Sequence, residues 1–105
     1  ARRQLADMMG LDPMPTKTPL IAQKTGLLEG DGFRVESIVF ESMPKLYVTA
    51  NLYLPPELKQ PAPAILYVCG HSVMKKEGVS FGNKTGYHHH GVWFAKHGLS
   101  ISTRD

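Results

Sequence analysis

The stretch Ala64-Ile65-Leu66-Tyr67-Val68-Cys69-Gly70-His71 decides how this chain is read. From Ala64 to Cys69 it is apolar without alternation, and it breaks off at Gly70-His71. A short apolar run lacking a period of two is the signature of a strand covered on both faces, because neither side needs to be polar. The expectation is a buried strand, central in a sheet with helices packed over it. Pro61 and Pro63 lead into it, and a polar loop containing Gly78, Gly82 and Gly86 leaves it.

Upstream, Asp31-Gly32 signals a turn and Phe33 to Glu41 is rich in β-formers. Phe33 and Val35 share one face, Ile38 and Phe40 the other, and that change near Ser37 predicts a bulge or burial on both sides. Ser42 to Lys45 makes the connection to Tyr47–Leu54, where Val48, Ala50, Leu52 and Leu54 alternate with Tyr47, Thr49, Asn51 and Tyr53. The pair reads as an antiparallel β-hairpin with one face on a core. At the amino end Leu5, Met8 and Met9 fall at helical spacing with Gly10 as the stop, and Pro13, Pro15 and Pro19 then forbid regular structure. Residues 1–30 are thus expected to be a short helix and an extended arm, and residues 31–105 one partial domain.

Downstream, Tyr87 to His97 places Gly91, Phe94, Ala95 and Gly98 for one helix face, with Gly98 as its cap, and Leu99–Ile101 opens a further strand. Hairpin, buried strand, helix, strand is the order of a mixed sheet with a parallel part, so the fold class is α/β.

Composition narrows the function. The 105 residues suit one domain, and 42% hydrophobic with 20% charged residues is ordinary for a globular chain. The formal charge of +3 is scattered, with no basic stripe and interleaved aromatics, so no nucleic-acid partner is expected. No apolar run approaches the roughly 18 residues that span a bilayer, so no membrane partner is expected either. Ala1-Arg2-Arg3-Gln4 has charge without an apolar stretch behind it, and no signal peptide is read there. A single cysteine, Cys69, makes no internal disulfide and leaves the compartment open.

The chemistry centres on Gly70, His71 and Ser72. Ligands collect outside the carboxyl ends of strands in open α/β sheets, and glycine lets backbone N–H groups approach a developing oxyanion. A plain strand-to-loop turn is the competing reading. Ser72 is the one candidate nucleophile, because Gly70-His71-Ser72-Val73-Met74 approximates G-x-S-x-G with Met74 in the last position. It is a poor one, since the serine elbow needs a small flanking residue and an immediate helix, and Lys75-Lys76-Glu77-Gly78 follow instead. His88-His89-His90 invites a metal, yet consecutive helical residues fan out by about 100° and cannot converge on one ion. No metal and no cofactor are expected, and the three histidines are read as facing solvent and the neighbouring loop. Cys69 reads as a small core residue, Trp93 and Phe94 as helix packing.

Together these segments resemble a family. Ala64–His71, followed by Tyr87–Gly98 and preceded by Val48-Thr49-Ala50-Asn51-Leu52-Tyr53-Leu54-Pro55, is similar to α/β-hydrolases related to bacterial acetyl xylan esterases. The Leu5–Leu20 arm resembles that family's amino-terminal extension. The resemblance implies the amino-terminal part of an α/β-hydrolase sheet, a carboxylic ester substrate on carbohydrate, and an oxyanion loop at Gly70, His71 and Ser72. It also implies that the serine, acid and histidine of the triad come later than this chain, which on that reading has no turnover of its own. After Gly98 the family tends to carry a longer apolar strand ending in aspartate. Leu99–Asp105 is more polar, so either the strand is cut short or these residues are not the family's. Without the neighbouring strand, residues 64–69 would present an open edge to a second copy or a partner chain. Two other readings stay open: a small non-catalytic α/β module binding a ligand or partner at the Gly70–Gly86 loop, and a complete minimal hydrolase using Ser72.

Overall fold

Strand pairing begins at Gln23, ahead of the Asp31-Gly32 turn. The computed structural model describes residues 1–70 and 75–104, with the side chains at 83, 84 and 100–104 outside the description. A short helix α1 (Arg2–Met8) is followed by β1 (Gln23–Gly30), β2 (Phe33–Met43), β3 (Leu46–Leu54) and β4 (Ala64–Val68). A small hairpin of β5 (Lys75–Lys76) and β6 (Val79–Ser80), a 3-10 turn (Asn83–Tyr87), α2 (His88–Lys96) and β7 (Ser100–Arg104) complete the order. The main sheet runs β1-β2-β3-β7-β4. Pairing is antiparallel from β1 through β7, and β4 joins β7 in parallel. The architecture is a mixed α/β layer, as the element order implies.

The β2–β3 hairpin follows from its turn. Met43 opposes Leu46 across Pro44-Lys45. Lys45 sits at φ 64° after a proline, the order of a type II turn. The irregularity expected near Ser37 is displaced. The β2–β3 register is continuous there, while the shift lies opposite, in β1 between Lys24 and Gly26, and further along β2 between Glu41 and Met43.

The arm expected through residue 30 is shorter than that. Its last eight residues are β1, an edge strand of the sheet, and Thr18 Oγ1 donates to the Glu41 carbonyl at 3.0 Å to fasten the segment before it.

The core lies between α2 and one face of the sheet. Register aligns Val35 with Tyr53, Tyr53 with position 101, and position 101 with Ile65, a row across four strands. Val35, Tyr53 and Ala95 form the buried centre, with Phe33, Ile65, Tyr67, Val92 and Phe94 packed against it. Alternation left open which side of β3 meets the core. Tyr53 is 1% exposed, because α2 descends over its face, while Ala50 and Leu54 of the other set are buried as well.

Residues 64–68 are corrected too. They form a strand but not a buried one. Ile65 and Tyr67 are half-buried beneath α2, whereas Leu66 and Val68 on the other face are 65% and 62% exposed. Among the described residues β4 is the last strand of the sheet, and it is covered on one side only.

Candidate functional site

The carboxyl end of β4 and the first turn of α2 meet over the sheet and bring together Tyr53, Tyr67, Tyr87, His88 and His90. Tyr53 on β3 and Tyr67 on β4 stand on either side of β7 and face upward into α2. Each is bonded to a histidine of the helix start: Tyr53 Oη lies 2.9 Å from His88 Nδ1, and Tyr67 Oη lies 2.9 Å from His90 Nδ1. Residues two apart on a helix point about 200° away from each other, so the two imidazoles diverge toward separate strands and tie both to α2. Burial pushes the Tyr53 phenol above its ordinary value of 10.0, with Cys69 adding to the rise and the side-chain hydrogen bond from Asn51 opposing it.

Close approach of the helix depends on Gly91. A Cβ there would lie 2.6 Å from the Tyr53 ring, so only glycine lets α2 settle at this height. The other end of the helix is closed as the sequence predicts. Gly98 takes φ 78°, its N–H bonds the Ala95 carbonyl, and the Leu99 N–H bonds the Phe94 carbonyl, which together make a Schellman cap.

Beside this pair of bonds a smaller cluster borders Gly70. Tyr67 packs on Tyr87 with ring centroids 5.6 Å apart, and both lie against His90, at 5.4 Å and 6.1 Å. A Cβ at Gly70 would lie 3.0 Å from Tyr87 Oη. Tyr87 and His90 are three residues apart across the 3-10 turn and the helix start, which puts them on one side. The β5–β6 hairpin falls within the span read as a polar loop. It turns on Glu77 and Gly78, both at positive φ (51° and 80°), as a type I′ turn requires.

Of the sequence-predicted site residues, Gly70 stands at the carboxyl end of β4, where it was placed. His71 and Ser72 lie outside the described residues. The histidine reading is corrected in part. His89 is exposed and rests against His90 with centroids 4.0 Å apart, but His88 and His90 are engaged with the sheet rather than with solvent alone. Among the described residues no group of three or more His, Cys, Asp or Glu is arranged to hold a metal ion. Cys69 is half-buried. Phe94 packs on the core, whereas Trp93 is 55% exposed and stacks on His97 at 4.0 Å. Sequence reasoning missed Tyr53, Tyr67 and Tyr87. The available signal was the match between three tyrosines at strand and turn ends and three histidines at a helix start.

No protein-family model matches the sequence, and no curated protein matches it. Among solved structures the fold is similar to that of the methylesterase BT1017, with a TM-score of 0.72 and 21% identity over 99% of this chain and 22% of that one. It is also similar to a Bacteroides fragilis protein provisionally named an acetyl xylan esterase, with a TM-score of 0.67 and 22% identity over 98% of this chain and 29% of that one. What is shared at these identities is the fold. The chain spans less than a third of the length of either structure.

Proposed function

We propose that this chain is the amino-terminal part of an α/β-hydrolase domain that cleaves carboxylic esters of carbohydrate by a serine mechanism. On this reading it supplies the oxyanion loop at Gly70, His71 and Ser72, and the serine, acid and histidine belong to later residues of the same domain. The observation that carries the proposal is the extent of the match: nearly all of this chain superposes on under a third of a methylesterase and of a protein provisionally named an acetyl xylan esterase. Two features support it. Gly70 stands at the carboxyl end of a strand in parallel pairing, where α/β sheets gather ligands. The outer edge and face of β4, with Leu66 and Val68 exposed, suit a further strand of that domain or a partner chain.

An activated acetate ester assay run with a fluorophosphonate probe tests this reading. The 105-residue chain is expected to be silent in both, and the intact hydrolase that contains it to hydrolyse the ester and take the label outside this segment. Labelling of the short chain at Ser72 would overturn the proposal in favour of a minimal hydrolase. Silence of the intact protein would favour a binding module at the Gly70–Gly86 loop.

A further inference from the structure

Tyr87 brings a third phenol to the carboxyl end of β4, and its placement differs from that of the other two. Tyr53 and Tyr67 turn their oxygens onto His88 and His90. The Tyr87 ring is held between Tyr67 and His90, which are themselves bonded together, and its backbone leads directly into α2. So fixed, its oxygen is directed at Gly70. A methyl group on Gly70 would lie 3.0 Å from Oη and 4.0 Å from the ring carbon Cζ, so the ring approaches tip first. Gly70 is exposed and Tyr87 half-buried.

We propose that the Tyr87 hydroxyl donates a hydrogen bond to the carbonyl oxygen of a carboxylic ester bound beside Gly70, strengthening as that oxygen gains charge. The proposal rests on the ester-hydrolase reading above. A phenol suits the task because it is a neutral donor on a rigid arm. A donor already fixed where charge develops needs no reorganisation at the moment of reaction. Gly70 fits the same account: any side chain there would occupy the space between the hydroxyl and the ligand.

The test uses the intact hydrolase containing this segment, with activated acetate and methyl esters as probes. Tyr87→Phe is expected to lower kcat about 100- to 1000-fold, in line with the loss of one preorganised donor, and to leave KM within about twofold. Tyr47→Phe, an exposed tyrosine at the far end of β3, is the control that leaves both unchanged. Gly70→Ala puts a methyl 3.0 Å from the hydroxyl, so the phenol tip has to give by a few tenths of an ångström and kcat is expected to fall. Adding Tyr87→Phe to Gly70→Ala removes that contact while kcat stays low.

Two results with an active wild type would overturn the Tyr87 role alone: kcat of Tyr87→Phe within about twofold of wild type, or recovery of kcat in the double variant. A wild type that hydrolyses neither ester and takes no fluorophosphonate removes the hydrolase reading, and this proposal with it.

Discussion

The largest fully buried side chain among the described residues is a tyrosine, Tyr53, and its neighbourhood explains both its burial and its chemistry. A phenol taken out of water keeps its proton longer, because the phenolate loses more solvation than the neutral form. Its value is raised in the folded chain, so the unfolded chain ionises first. The stability this group contributes is therefore whole below its unfolded value of 10.0 and is lost as pH climbs toward the folded one. Urea unfolding at about pH 8 and again above pH 10 should show wild type losing stability more steeply than Tyr53→Phe. Parallel curves would remove burial of this phenol as the cause. At neutral pH the same variant loses the bond to His88, a cost of about 0.5–1.5 kcal/mol. None of this was legible in the sequence. Alternation in Leu46–Leu54 sorts Tyr53 with Tyr47, Thr49 and Asn51, and a tyrosine tolerates either side of a sheet. Only the arrival of α2 chose between them, and that contact joins residues 35 or more apart.

The elements divide by how much of their surface is buried. Both helix ends could be read locally, since a positive-φ glycine just past the last turn suffices, and Gly10 (φ 67°) and Gly98 (φ 78°) do this for α1 and α2. The hairpin of β2 and β3 was equally plain from its β-formers and its proline turn. β1 was not. Gln23-Lys24-Thr25-Gly26-Leu27-Leu28-Glu29-Gly30 is exposed at nearly every position, so no burial imposes a period on it, and it pairs through backbone groups that any sequence supplies. The unbroken apolar run of β4 misled in the opposite direction: its composition suits a strand covered on both faces, while its surroundings here cover one. The distance between α2 and the sheet is the most sharply specified relation between elements, because it is set by a missing side chain. Gly91→Ala would put a methyl 2.6 Å from a ring wedged against β3. The helix would have to lift, and the loss should be about 1–3 kcal/mol by chemical denaturation, the range for overpacking a filled site. The lift would also lengthen the Tyr53–His88 bond, so Gly91→Ala and Tyr53→Phe should combine to less than the sum of their separate costs.

At the scale of the whole chain the buried set is small. Among the described residues only Val35, Ala50, Tyr53, Leu54 and Ala95 are buried apolar groups, while Leu5, Met8, Met14, Leu20, Ile21, Leu66 and Val68 are each more than half exposed. The radius of gyration is 16.2 Å, against about 13 Å for a compact domain of this length. A core of this size supports marginal stability at best. An apolar strand with an open edge, such as β4, adds a template on which another strand can pair. The 105-residue chain is therefore expected to elute earlier in size-exclusion chromatography as its concentration rises and to bind a hydrophobic dye. Leu66→Lys with Val68→Lys puts two charges on the uncovered side of the edge strand, away from α2. The pair should shift elution back toward the monomer while leaving the far-ultraviolet dichroism unchanged, because those side chains contribute little to the core. A dilution-stable monomer that binds no dye would show that five buried groups and the α2 contact suffice. The open face of β4 would then have to be explained as a ligand surface rather than as a seam.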